Sequence, residues 1–207
     1  MQTQSPTGTT PAPEGRNRAQ LWLLLLVFVG PVIAAGVLYA NADHWFNGNA
    51  TGHHGQLVDP ARPLQGLPVL DAEGNRLGLE AVRGKWTLVY IGSGQCGADC
   101  RSDLYGMRQA HKAQGKNIGR VQRLFIARDG ILPEGAFLAE EHPNLKVGRL
   151  APGASLEAFD AGDREKPPAG IYMVDPNANL VLRYEPGAPP KGILKDLESL
   201  LKHSTIG

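Results

Sequence analysis

Cysteine is nearly absent from this sequence: 207 residues contain two, Cys96 and Cys100, so no third thiol can extend or rival that pair. An excess of charge of one sign is also lacking. With 21 Lys+Arg against 20 Asp+Glu the formal net charge is +1, and there is no long basic stripe, which excludes the electrostatic footprint of a nucleic-acid binder. No internal repeat is present, so the chain is not a repeat array. Charge disappears altogether over residues 21–40, LWLLLLVFVGPVIAAGVLYA. At 1.5 Å per residue such a helix spans about 30 Å, the hydrocarbon thickness of a bilayer. Gly30 and Pro31 interrupt the run, and membrane helices tolerate both.

Arg16 and Arg18 precede the apolar run, and the first Lys or Arg after it is Arg62. The positive-inside rule therefore predicts a single pass with a cytoplasmic N-terminus and everything after about residue 41 outside. Ala40-Asn41-Ala42 offers a competing reading as a signal-peptidase site. The run is longer than the usual 7–15 apolar residues of a signal peptide, which favours an uncleaved anchor. Either way the remainder is exported, into a compartment where a thiol pair can cycle between dithiol and disulfide.

The cysteines sit in Gln95-Cys96-Gly97-Ala98-Asp99-Cys100, after the apolar run 87–91 and before an amphipathic stretch, 100–114. A strand passing through a Gly/Ser turn into a helix places Cys96 at a helix N-terminus, where the macrodipole and free N–H groups favour a thiolate. The spacing turns both sulfurs toward one helix face, close enough for a disulfide or for one soft metal ion. Two small buried hydrophobes are the plain alternative.

Residues 1–20 are expected to be a disordered cytoplasmic tail, 21–40 the anchor, 41–64 a juxtamembrane linker and 65–207 the globular domain. In that domain 67–70 and 77–79 form a hairpin about the turn 71–74, and a buried strand covers 86–91. Further strands are predicted at 121–127, 145–150, 171–175 and 180–184. A short helix suits 133–141, with Pro133 in its first turn. A last helix covers 191–203, with Ile193, Leu194, Leu197, Leu200 and Leu201 as its apolar stripe. The 26 glycines and 16 prolines agree with many turns, and 42% hydrophobic residues suffice for a core. The class is α/β, helices flanking a mixed sheet.

These residues resemble a known family. The hairpin, Gly84-Lys85, the apolar strand, paired cysteines opening a helix, and the later Ile171-Tyr-Met-Val-Asp-Pro-Asn177 are similar to the thioredoxin superfamily. Within it the CxxxC spacing, the Gly92-Ser93-Gly94-Gln95 approach and Tyr172 to Pro176 are most similar to the Sco/SenC proteins. That resemblance covers roughly residues 64–203. It implies a thioredoxin-like fold behind one transmembrane helix, in a protein held in a bacterial inner membrane with its domain in the periplasm. It further implies a part in cytochrome c oxidase assembly, delivering copper or reducing equivalents, with oxidase subunits or other assembly factors as partners.

The chain departs from that family pattern in its donors. Prolines that follow each family cysteine are replaced by Gly97 and Arg101, and the family's copper-ligand histidine falls at Pro167, between Lys166 and Pro168. Two thiolates can hold Cu(I), whereas Cu(II) wants nitrogen donors. Pro168 stands where thioredoxin-fold oxidoreductases place a cis-proline opposite the dithiol; an ordinary loop proline is the alternative. Among the histidines, His53 and His54, with His44 nearby, could fold over the cysteines or lie in a solvated linker. His111 is about 16 Å along the helix from Cys100, out of reach of a shared metal. His142 and His203 read as surface residues, and Met107 and Met173 as core. Trp45 and Phe46 suit an interfacial aromatic belt.

The expected chemistry is thiol–disulfide exchange, with Cys96 the exposed attacking thiolate, Cys100 the resolving thiol and Pro168 beside them. Arg101 adds positive potential and Asp99 opposes it. Cu(I) transfer through Cys96 and Cys100 is the first alternative, with copper the one cofactor candidate. A non-catalytic assembly scaffold with a structural disulfide is the second.

Overall fold

The computed structural model describes residues 14–40, 53–160 and 169–206. The chain divides into two compact units, 1–50 and 51–207. The first contains helix α1 (Glu14–Ala40), which begins seven residues before the charge-free run and carries Pro31 inside it. Part of the tail expected to be disordered is thus helical. Described apolar side chains on α1 face outward: Trp22, Leu26, Phe28 and Val32 are 71%, 72%, 72% and 70% exposed. Among the described residues no helix is long and apolar enough to cross a membrane. Trp45, Phe46 and His44 lie outside the described residues.

The second unit is built on one eight-stranded sheet in the order β1-β8-β7-β4-β5-β6-β2-β3. Its strands are β1 (Gln56–Pro63), β2 (Val69–Leu70), β3 (Arg76–Leu77), β4 (Trp86–Gly92), β5 (Val121–Ala127), β6 (Leu145–Leu150), β7 (Gly170–Val174) and β8 (Asn179–Tyr184). Three more helices complete it: α2 (Ala98–Lys112), α3 (Gly135–Glu141) and α4 (Pro190–His203). β4, β5 and β6 run parallel, joined through α2 and α3, and β7 lies antiparallel on the other side of β4. The second half of the expected linker is therefore sheet: β1 pairs with β8, Leu57 opposite Leu182 and Arg62 opposite Leu180. Its burial pattern is too irregular to show the two-residue alternation of a half-buried strand.

β4 is central, and all seven of its residues are buried, which is why it reads as a continuous apolar run. Alternate side chains go to opposite layers. Leu88 and Tyr90 enter the core beneath α2 and α4, and Val89 and Ile91 the core on the other face, with Leu156, Phe159 and Tyr172. On α2, Cys100, Leu104, Met107 and Ala110 recur at helical spacing and fill the first core. Fully burying Leu104 contributes about 1.5–3 kcal/mol. On α4 the stripe Ile193, Leu197 and Leu201 is buried, Leu194 and Leu200 only in part, and Pro190 occupies the first turn. Met107 and Met173 are both fully buried, as expected of core residues.

Candidate dithiol site

β4 delivers the chain to a turn, 93–97, that is shaped largely by a residue of the next strand's exit loop. Asp129, just after β5, accepts hydrogen bonds from Ser93 Oγ (2.6 Å) and from the backbone N–H groups of Gly94 (3.0 Å) and Ile131 (3.1 Å). Burial pushes its carboxyl up, but the bonds from Ser93, Gly94 and Ile131 outweigh this and hold it below the ordinary carboxylate value. Gly94 is required: a Cβ there would lie 1.7 Å from the Ile131 carbonyl oxygen. The Cys96 N–H closes the turn on the Ser93 carbonyl at 3.2 Å.

Cys96 precedes the helix cap rather than opening the helix. Gly97 is the N-cap of α2, and Cys96 adopts a left-handed backbone, φ +36°, unusual for a residue with a side chain. This turns Cys96 back toward Cys100, and the two are joined in a disulfide with Cα atoms 5.1 Å apart. The pairing therefore comes from a turn meeting a helix, not from two positions on one helix face. Both cysteines are buried in the α2–α4 core, Cys96 at 4% and Cys100 at 7% exposure. The expectation of a more exposed Cys96 is corrected: the left-handed turn folds it inward.

Charged and polar groups surround the pair. Arg101 donates from Nε to the Cys96 carbonyl at 3.4 Å, and its guanidinium stands 4.1 Å from the centre of the Phe137 ring. Glu134 lies 3.9 Å from Arg101, an open pair worth little. Asp103, one turn beyond Cys100, is 4% exposed; its Oδ1 accepts the Gly187 N–H at 2.8 Å and its Oδ2 has no partner. Burial raises the pKa of that carboxyl, and the charge of Asp99 raises it further against the Gly187 bond. Burial also pushes the Tyr90 hydroxyl to about 12, with the Asp103 charge adding to it. Asp103 and Asp129 were not among the residues expected from the sequence. An acidic residue inside the stripe of Cys100, Leu104 and Met107 was a signal for the first, whereas nothing local distinguishes Asp129.

The histidines do not gather here. The His54 and Gly55 N–H groups donate to the Asp196 carboxylate of α4 at 2.8 Å, and His53 Nδ1 lies 3.9 Å from it. The backbone of the segment is thus pinned to α4 rather than folded over the dithiol, while the His54 side chain is exposed. His111 Nε2 lies 3.1 Å from the Val121 carbonyl oxygen. His142 is corrected from surface to interior: it is 2% exposed, edge-on to Phe137 at 5.1 Å, because the turn before β6 tucks it under α3. His203 is exposed, as expected. Among the described residues no group of three or more His, Cys, Asp or Glu could hold a metal. A disulfide offers no thiolate, so only the reduced pair fits Cu(I). Pro167 and Pro168 lie outside the described residues.

Comparison with solved structures agrees with this architecture. The chain resembles apo Sco1 from Thermus thermophilus (TM-score 0.60, 21% identity, covering 74% of this chain and 99% of that one). It resembles copper-bound yeast Sco1 (0.58, 18%, covering 70% and 96%) and copper-bound ScoI from Arabidopsis thaliana (0.56, 19%, covering 67% and 98%). At these identities the likeness establishes the thioredoxin-like fold. No curated protein sequence matches the chain. One family model matches residues 86–204, more than half of the chain, from the first residue of β4 past the end of α4. With the dithiol turn, strands β4 to β8 and both packing helices inside that match, the chain belongs to the transmembrane-like, thioredoxin-like C-terminal domain family.

Proposed function

We propose that this protein is a membrane-tethered, exported thiol–disulfide exchange factor assisting cytochrome c oxidase assembly. The observation that carries this is the Cys96–Cys100 disulfide itself: the only two thiols of the chain, paired across the turn that follows the central strand. In the reduced protein the Cys96 thiolate attacks a client disulfide, forming a mixed disulfide and releasing one client thiolate. The Cys100 thiolate then attacks the Cys96 sulfur, releasing the second client thiolate and closing the observed disulfide. Two electrons pass to the client, and an exported dithiol reductant must restore the pair. Because both sulfurs are buried when oxidised, the 93–97 turn must open for that reductant to reach them.

Tethering rests on the outward-facing Trp22, Leu26, Phe28 and Val32 of α1 and on Arg16 and Arg18 before the apolar run. A reporter fused after residue 207 tests the topology: activity in the cytoplasm would refute export. Cu(I) transfer through the reduced pair is the second reading, favoured by the likeness to two copper-bound structures. A redox titration of the full chain, with and without Cu(I), separates the readings. Exchange predicts reversible equilibration with thiol buffers, a potential above about −300 mV, and no mixed disulfide once Cys96 is replaced by Ser. A potential below that value would mark a structural disulfide. Tight Cu(I) binding that outcompetes exchange would establish the metal reading.

A further inference from the structure

On the α2 side of β5 lie two guanidiniums with no carboxylate at ion-pair distance among the described residues. Side chains alternate along β5, and Arg123 falls in the same layer as Val121 and Phe125, among apolar neighbours. It is 3% exposed, yet only its Nη2 has a partner, the Pro143 carbonyl at 2.8 Å; Nε and Nη1 have none. His142, adjacent to Pro143, has no partner at either ring nitrogen, and Arg108 of α2 adds a buried, unpartnered Nε. Among the described residues no Asp or Glu oxygen lies within 4.0 Å of either guanidinium.

These groups feel one another. Burial lowers the Arg123 pKa and the Arg108 charge lowers it further. Burial lowers the His142 pKa too, followed by the charge of Arg123, with Arg108 adding and Glu141 opposing. An unpaired buried guanidinium is among the costliest groups a core can hold, because it keeps its charge and has no acceptor of its own. The donors come from a helix, a strand and a turn, so a compact acceptor placed among them would satisfy groups that the chain does not satisfy itself. Oxygen-rich anions match several N–H donors at once. Arg108 is only half-buried, so this edge of the group reaches solvent.

We propose that Arg108, Arg123 and His142 form a binding site for one small inorganic oxyanion between α2, β5 and the turn before β6. The site is separate from the dithiol: Arg123 pairs across the sheet with Leu145 of β6, four residues before Ala127, the strand end that leads to Asp129.

Sulfate is the probe, titrated into the full chain by calorimetry and by thermal denaturation, with ionic strength held constant by chloride. The expected result is saturable binding of one sulfate per chain with a rise in melting temperature. Arg108→Gln, at a half-exposed helix position, should weaken sulfate at least tenfold. Arg123→Met should abolish the sulfate effect and raise the melting temperature in sulfate-free buffer, because it removes the unpaired charge. An equal effect of chloride and sulfate, undiminished sulfate binding by Arg108→Gln, or destabilisation by Arg123→Met in sulfate-free buffer would overturn the proposal. Failure of Arg123→Met to fold is the extreme of that destabilisation and likewise overturns the proposal.

Discussion

Replacing Asp196 by Ala should destabilise the domain by about 3–4 kcal/mol, far more than an average substitution. Asp196 is 1% exposed on α4, and its carboxylate collects the N–H of His54, the N–H of Gly55 and the hydroxyl of Tyr184, all at 2.8–2.9 Å. Truncation orphans two buried donors, the Gly55 N–H and the Tyr184 hydroxyl, at about 1–3 kcal/mol each. The His54 N–H is only partly buried and can turn to water, so it adds little. Losing the carboxylate also removes its own desolvation cost, which keeps the total below the sum. Tyr184→Phe removes a donor together with its demand and should cost about 1 kcal/mol. Urea denaturation read by fluorescence of Trp86, 5% exposed, measures both variants. A cost below about 1 kcal/mol for Asp196→Ala, or equal costs for the two variants, would refute this role of Asp196. Hydrogen exchange adds a local check, since the Gly55 amide should lose protection in the Ala variant alone.

Gly94→Ala should cost about 1–3 kcal/mol and speed reduction of the disulfide by dithiothreitol, since a Cβ 1.7 Å from the Ile131 oxygen must displace the turn before Cys96; unchanged stability and reduction rate would argue that the turn is soft. Asp129 should confer acid sensitivity. Its folded-state pKa lies below the ordinary 3.8, so its stabilisation is present above 3.8 and is lost as pH falls through the folded value. Asp129→Asn should therefore be less stable than the parent at neutral pH and converge with it in strong acid, and an equal gap at both ends of the acid titration would contradict this.

The strands from β2 to β8 were legible because each carries its own signal. β4 is apolar throughout, β7 and β8 flank a Pro-Asn turn, and the stripes of α2 and α4 recur every three to four residues. The cysteine pair was legible because no other thiol exists to confuse it. β1 was not: its pattern is irregular, and what makes it a strand is the free edge of β8, far along the chain.

Residue identity and local periodicity thus determined the α/β class, the order of the β2–β8 elements and the pair of sulfurs. Only the tertiary structure decided that Cys96 lies in a left-handed turn with both sulfurs buried, and that Asp129, 33 residues away, holds that turn. It also decided that His53 and His54 go to Asp196, and that His142 joins Arg123 in the interior. The physical reason is common to all of these. Amphipathic spacing reports how one segment meets water, whereas the fate of a buried polar group depends on which distant donor or acceptor packing brings to it.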